Sequence, residues 1–220
     1  MMILHDFWRS SAAYRTRIAL NLKGLDYRAV AHHLPAGAQR APDYLALNPQ
    51  GLVPALQLER GVLGQSLAVI EYLEEVQPTP PLLPIDAFDR ATVRAMALTV
   101  ACDVHPLNNL RVLQYLRGEF AADETAVTHW IHHWMALGFE ALETQVEAHS
   151  RAGRFCFADS PTMADLCLVP QLYNARRFGC ELAGYPRLLA IDAHCHTLEP
   201  FRRAAPEAQP DAPAEASRGE

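Results

Sequence analysis

Three short segments of this sequence carry polar groups at positions from which they could act on a bound ligand. The first is Arg9-Ser10-Ser11, between an apolar run and the first helical pattern. A serine hydroxyl there can donate a hydrogen bond to sulfur while the helix N-terminus adds positive potential, and both favour thiolate over thiol. A free thiol titrates near pH 8.5, so each unit of depression contributes about 1.4 kcal/mol. The second is Val53-Pro54, where a proline opening a strand donates no ladder bond and leaves neighbouring backbone groups to another partner, such as a peptide. The third is Gln65-Ser66 at the start of another helix, whose N–H groups and dipole suit a carboxylate.

The second half of the chain has its own irregular stretch, Cys102-Asp103-Val104-His105-Pro106-Leu107-Asn108-Asn109-Leu110-Arg111. A proline inside a helix costs about 3 kcal/mol and paired asparagines are poor helix formers, and violations of this kind tend to mark sites. Read as helix, His105, Asn108 and Asn109 share a face, with Arg111 three residues past Asn108. Arg176-Arg177 closes a later helix, where cations meet the dipole favourably. His129, His132 and His133 lack a completing Cys, Asp or Glu pattern, so no metal is expected.

Several elements must position these residues. Met2 to Phe7, Tyr27 to Val30 and Val53 to Leu58 read as strands. Between them a helix runs from a cap at Ser10 or Ser11, through Tyr14, Ile18, Ala19 and Leu22, to Lys23-Gly24. Another begins at Ser66 and reaches Val76, because Pro78, Pro80, Pro81 and Pro84 forbid continuation. Beyond this joint the pattern predicts helices over Ala87 to Phe120, Asp123 to His149, Met163 to Arg177 and Pro186 to Thr197, with Thr162 and Asp165 at capping-box spacing. The expected organisation is a mixed α/β domain over 1–78, a linker over 79–86, an all-α domain over 87–206, and a mobile tail over 207–220 that has no apolar face to bury.

Composition narrows the function classes. With 220 residues, half of them hydrophobic, the chain can bury a sizeable core. A net charge of −6 opposes general attraction to nucleic acid or an anionic membrane face. No apolar run approaches the roughly 18–20 residues of a membrane span, and the start does not read as a signal peptide. Lys23 is the single lysine, so the cationic devices are guanidinium forks suited to carboxylates. Five cysteines without CxxC spacing point to a reducing, cytoplasmic setting.

The run Phe7-Trp8-Arg9-Ser10-Ser11-Ala12-Ala13-Tyr14-Arg15-Thr16-Arg17-Ile18-Ala19-Leu20 resembles the Arg-Ser-Ser-Cys-x-Trp-Arg-x-Arg-Ile-Ala-Leu signature of the zeta-class glutathione transferases. Ala12 stands in place of the class cysteine and Tyr14 in place of its tryptophan. The resemblance continues through Asn48 to Leu56, Gln65 to Glu75 and Thr162 to Pro170, and covers Met2 to about Pro210.

It implies a thioredoxin-like βαβαββα domain followed by a helical bundle, glutathione as cofactor, and a homodimer. It also implies cis–trans isomerisation of maleylacetoacetate, in aromatic catabolism, by reversible thiolate addition and enolate stabilisation; maleylpyruvate is the second substrate candidate. Conjugation or dehalogenation of α-halo acids and a non-catalytic binding module are the other readings. The implied thiolate stabiliser is Ser10, with Ser11 next to it, and Arg9 beside them is catalytic. Glutathione contacts fall on Ser10, Ser11, Val53, Pro54, Gln65, Ser66 and Asn108, with a cis-proline at Pro54. Arg9, His105, Asn108, Arg111 and Arg177 receive the dicarboxylate substrate. Because no protein cysteine occupies a motif position, the reacting thiol must be that of glutathione.

Overall fold

The computed structural model describes residues 1–214 and divides into two compact units. One comprises Met1–Pro81 together with the described residues from His196 onward, and the other is Leu82–Cys195.

In the first unit, β1 (Met2–Asp6) and β2 (Tyr27–Ala31) are parallel, joined by α1 (Ser11–Leu22), as a parallel pair requires a crossover. A short helix, α2 (Pro42–Leu47), precedes the hairpin β3 (Ala55–Leu58) and β4 (Gly61–Gly64), and α3 (Ser66–Val76) follows it. The described strands form one sheet in the order β2-β1-β3-β4, with β3 antiparallel to both neighbours. Register decides where the site falls. Ala55 pairs with His5 on one side and Gly64 on the other, so the end of β1, the start of β3 and the end of β4 lie at one edge of the sheet. The segments following β1, preceding β3 and following β4 therefore emerge together.

Ser10 caps α1, its Oγ accepting the Ala13 N–H at 3.2 Å, and Gly24 at φ +64° closes the helix in a left-handed conformation that glycine adopts without strain. The helix is buried over most of its length, Arg15, Thr16 and Arg17 included. A helix with polar residues on its buried faces needs internal partners. Arg17 finds four acceptors: Nη1 reaches both Asp6 carboxylate oxygens at 2.8 and 2.9 Å, Nη2 reaches the Trp8 carbonyl at 2.9 Å, and Nε reaches the Ala204 carbonyl at 2.9 Å. Lys23 is buried against Glu74 and the Pro80 carbonyl, so its charge serves these contacts and not the dipole of α1.

Two expectations change at the C-terminus. The predicted helix Pro186 to Thr197 stops at Cys195 as α8 (Pro186–Cys195), and a further helix, α9 (Glu199–Ala204), packs on α1 in the first unit. Phe201 is fully buried there, Asn21 donates to the Pro200 carbonyl at 3.0 Å, and Arg17 holds the end of α9. The all-α segment assigned to 87–206 thus gives up its last residues to the α/β unit, because α1 needs a cover that the sheet does not provide. Residues 207–214 also fold back: the Gln209 amide donates to the Arg203 and Ala205 carbonyls, and Asp211 accepts the Trp8 N–H. This part of the expected mobile tail is bound through polar groups without an apolar face; residues 215–220 lie outside the described range.

The helical unit contains α4 (Ala87–Leu98), α5 (Leu110–Glu119), α6 (Glu124–His149), α7 (Met163–Arg177) and α8. The continuous helix expected over Ala87 to Phe120 is interrupted by a π-helical stretch at Thr99–Val104 and a 3-10 turn at Pro106–Asn108. Proline has no N–H for the helical ladder, which makes Pro106 the physical cause of the break. On α6, Gly138 admits the side chain of Val104, which a Cβ would strike. The Asp165 carboxylate accepts the Thr162 N–H and hydroxyl and the Cys156 N–H, at 2.7–2.9 Å, so the capping box organises the start of α7.

Breaking the Arg17–Asp6 pair from one side strands a buried carboxylate. Arg17→Met should lower unfolding free energy by about 3–5 kcal/mol in urea titration, and adding Asp6→Asn should recover part of the loss. Equal or greater loss in the double variant would remove the pair from its assigned role.

Candidate active site

At the converging edge of the sheet, the loop between β1 and α1 carries Trp8, Arg9 and Ser10. Its backbone is held at several points: Phe7 N–H donates to Asp6 at 2.6 Å, the Trp8 carbonyl accepts from Arg17, and the Ser10 N–H donates to the Phe7 carbonyl at 2.8 Å. Ser10 Oγ accepts one bond as the cap and keeps its proton to donate. Ser11, the first helical residue, is buried and its hydroxyl has no described partner. The Arg9 guanidinium lies over the Trp8 ring, 5.3 Å from its centroid, with no carboxylate partner among the described residues.

The second segment is set by α2. Tyr44 Oη donates to the Leu52 carbonyl at 2.6 Å and Asn48 Nδ2 donates to the same oxygen at 2.8 Å, fixing the chain just before Val53. The Val53-Pro54 bond is cis, as the resemblance implied. No described hydrogen bond uses the Val53 N–H or carbonyl, so both remain available to a peptide-like ligand. Phe7, Tyr44, Val53 and Ala55 form the apolar cluster beneath, with Trp8 packed against it.

The third segment opens α3. Gln65 has φ +65°, its side chain donates to Gln50 Oε1 at 2.9 Å, and no side chain caps the helix. The N–H groups of Ser66, Leu67 and Ala68 have no described acceptor, the arrangement an anion requires. Arg15 reaches Ser66 Oγ at 3.4 Å, tying α1 to this turn.

Among the residues expected in the helical unit, Asn108 is buried in the 3-10 turn and its Nδ2 donates to the Val104 carbonyl at 3.2 Å, replacing a broken helical bond; its Oδ1 has no described partner. Asn109 caps α5, so the shared helical face expected for His105, Asn108 and Asn109 does not form: three kinds of helical turn succeed one another there. Arg111 is exposed in the first turn of α5. Arg177 is exposed at the end of α7, where it donates to Asn174 at 2.8 Å and lies over Phe178. Trp130 and His132 on α6 brace the Leu107 and Phe178 carbonyls, both at 2.8 Å.

Three of the five protein thiols are poorly suited to nucleophilic work. Burial pushes Cys180 up to about 11, and pushes Cys156 and Cys195 well above the usual thiol range. No group of three or more His, Cys, Asp or Glu among the described residues could hold a metal ion.

Residues 9–76 match the N-terminal domain of glutathione S-transferase. Maleylpyruvate isomerase from Ralstonia is 52% identical over 96% of this chain and 99% of its own length. Maleylacetoacetate isomerase from Rhizobium meliloti is 49% identical over 93% and 96%. A holo structure of a maleylpyruvate isomerase, a bacterial zeta-class glutathione transferase, superposes with a TM-score of 0.94 at 51% identity, covering 96% of this chain and 100% of that one. The chain belongs to the zeta-class glutathione transferases. A further similar structure, maleylacetoacetate isomerase from Anaeromyxobacter dehalogenans, has dicarboxyethyl glutathione and citrate bound in its active site. It is 45% identical with a TM-score of 0.86, covering 97% of this chain and 98% of that one.

In this zeta-class transferase, sequence reasoning missed the residues that shape the segments: Asp6, Arg17, Tyr44, Asn48 and Gln50. Their signals are slight, an acid at a strand end and an arginine eleven residues on. It also missed a histidine pair. His5 Nδ1 and His32 Nε2 lie 2.9 Å apart, with the His32 ring 4.2 Å from that of Tyr44. Burial, and then His5 alongside, hold His32 below its ordinary value near 6.5, with Asp6 opposing. The unfolded chain therefore takes up the proton first, and stability is lost as pH falls below about 6.5. Urea midpoints should fall between pH 7 and 5.5, and His32→Gln should flatten that fall; an unchanged pH profile in the variant would exclude His32 as its source.

Proposed function

We propose that this zeta-class transferase is a glutathione-dependent cis–trans isomerase of maleyl β-keto acids, with maleylacetoacetate as first substrate and maleylpyruvate as second. The observation that carries the reading is the convergence, at one edge of the sheet, of a hydroxyl donor, an open backbone N–H and carbonyl pair, and an uncapped helix N-terminus. Glutathione offers a thiol, a peptide backbone and a terminal α-amino acid carboxylate in a matching order. The bound dicarboxyethyl glutathione of the Anaeromyxobacter relative is consistent with sulfur bonding to a four-carbon diacid.

In this reading Val53 pairs with the cysteinyl backbone of glutathione, with Pro54 shaping the turn, and Gln65 and Ser66 hold its γ-glutamyl end. Ser10 donates its proton to the sulfur, its Oγ already oriented by Ala13, while Ser11 offers a second hydroxyl from the first turn. Asn108 is assigned a further glutathione contact. Bound glutathione supplies the thiolate whose reversible addition makes the cis double bond temporarily single. Arg9 balances the negative charge developing on the keto oxygen, and Arg111 and Arg177 receive carboxylates. His105 and Asn108 orient the keto end. Because the thiol is returned at the end of each turnover, glutathione is a cofactor and not a consumed reactant.

We place the protein in the cytoplasm, within aromatic catabolism, and assign it a homodimer. The exposed side chains of Ile85 and Phe88, 97% and 76% accessible, are apolar surface for a second copy to cover. No described helix is long and apolar enough to cross a membrane.

Incubation with glutathione and each maleyl keto acid, coupled to a fumaryl-specific hydrolase, should show turnover with the total thiol unchanged; thiol consumption would exclude the isomerase reading. Ser10→Ala should lower kcat about 100–1,000-fold, as loss of a donor to a reacting anion does elsewhere. Arg9→Ala and Arg111→Ala should raise substrate KM or lower kcat, and unchanged values in both would remove the guanidinium assignment.

A further inference from the structure

We infer that Asp211 is a positioning residue for the catalytic loop: it fixes the Trp8 N–H and thereby aligns Arg9 and Ser10. Both backbone polar groups of Trp8 are held by charged side chains, one from α1 and one from the far end of the described chain. Its carbonyl accepts from Arg17 Nη2 at 2.9 Å, and its N–H donates to Asp211 Oδ2 at 3.0 Å. Trp8 is the residue before Arg9, whose guanidinium rests on its ring, and it packs against the cluster beneath Val53. Fixing that peptide from two sides leaves Arg9 and Ser10 little freedom to drift.

The path by which Asp211 arrives is built. Arg17 Nε holds the Ala204 carbonyl at the end of α9, and a 3-10 turn over Pro206–Ala208 follows. The Gln209 amide is anchored on two carbonyls, at 2.8 and 2.9 Å. Ala212 N–H then donates to the Gln209 carbonyl at 3.0 Å, closing a turn with Pro210 and Asp211 at its centre, and proline is favoured at the first central position. The circuit closes on itself: Trp8 carbonyl to Arg17, Arg17 to Ala204, Ala204 through the turn to Asp211, and Asp211 back to the Trp8 N–H. Val53, Pro54, Gln65 and Ser66 lie outside it, so it acts through the loop that carries Arg9 and Ser10 and not through those glutathione anchors.

The catalytic part of this inference rests on the isomerase reading, and one readout is independent of it. In Asp211→Ala, exchange of the Trp8 amide proton, followed by NMR, should rise about tenfold or more. kcat should fall about tenfold while the glutathione KM stays within about twofold, since small misplacements of a reacting group cost rate more than affinity. The ultraviolet titration of bound thiolate should move to higher pH. Asp211→Asn, which keeps an acceptor oxygen of the same reach, should restore kcat to within about threefold of wild type. Truncation after Pro210 should reproduce the alanine phenotype. Unchanged Trp8 exchange in Asp211→Ala would overturn the contact. Faster exchange with wild-type kcat and thiolate titration, or an asparagine variant as impaired as alanine, would overturn the positioning role. A wild-type protein inactive on both maleyl acids would refute the isomerase reading instead, leaving amide exchange and thiolate titration to decide this one.

Discussion

A single buried guanidinium holds the α/β unit together where its chemistry is proposed to occur. Arg17 has no solvent to fall back on, and a cation in that position is tolerated only if every donor direction meets an acceptor. Asp6 supplies the opposite charge from the end of β1 and accepts from Nη1, while the Trp8 and Ala204 carbonyls accept from Nη2 and Nε. One side chain therefore sets the exit angle of the first strand, the course of the following loop and the docking of the last described helix. An apolar residue of similar volume could fill the space, but it could not hold two backbone carbonyls and a carboxylate at once. The favourable geometry offsets desolvation, and the gain is directional specificity.

That specificity matters because the proposed glutathione groups are mostly backbone. The Val53 N–H and carbonyl and the first N–H groups of α3 are presented by strand register, which brings His5, Ala55 and Gly64 into line. Side chains act mainly as braces: Tyr44 and Asn48 converge on the Leu52 carbonyl, and Gln50 meets Gln65. The hydroxyl of Ser10 stands apart as the proposed side-chain donor to the sulfur. It is held by its own helix, so orienting it requires no further ordering when a ligand arrives.

The three segments proposed to face the ligand were legible in the sequence because each depends on local rules. Serine before an apolar periodic run reads as a cap, proline after valine reads as a strand opening, and the serine after Gln65 reads as a helix start. The helical half was less legible. Ala87 to Phe120 carries a helical period throughout, and periodicity does not register the point at which Pro106 removes a ladder bond and the backbone changes from π to 3-10 to α. The cost was the shared face assigned to His105, Asn108 and Asn109, which dissolved once Asn109 became a cap and Asn108 turned inward to the Val104 carbonyl. The C-terminal residues were less legible for a different reason. Glu207 onward has no apolar face, but carboxylate and amide groups docked on backbone partners hold its described part in place.

By itself the sequence carried, in its motifs, the resemblance to the class, while periodicity and capping within short windows marked most of the strands and helices and the residue types available to hold a thiol and carboxylates. Only the tertiary structure decided that three segments spread over some sixty positions open at one sheet edge, that two arginines of α1 turn inward, and that an aspartate 203 positions from Trp8 closes on its amide. Those outcomes depend on which buried polar group finds which partner. That is a long-range condition on hydrogen bonding and desolvation, and no local pattern of residues expresses it.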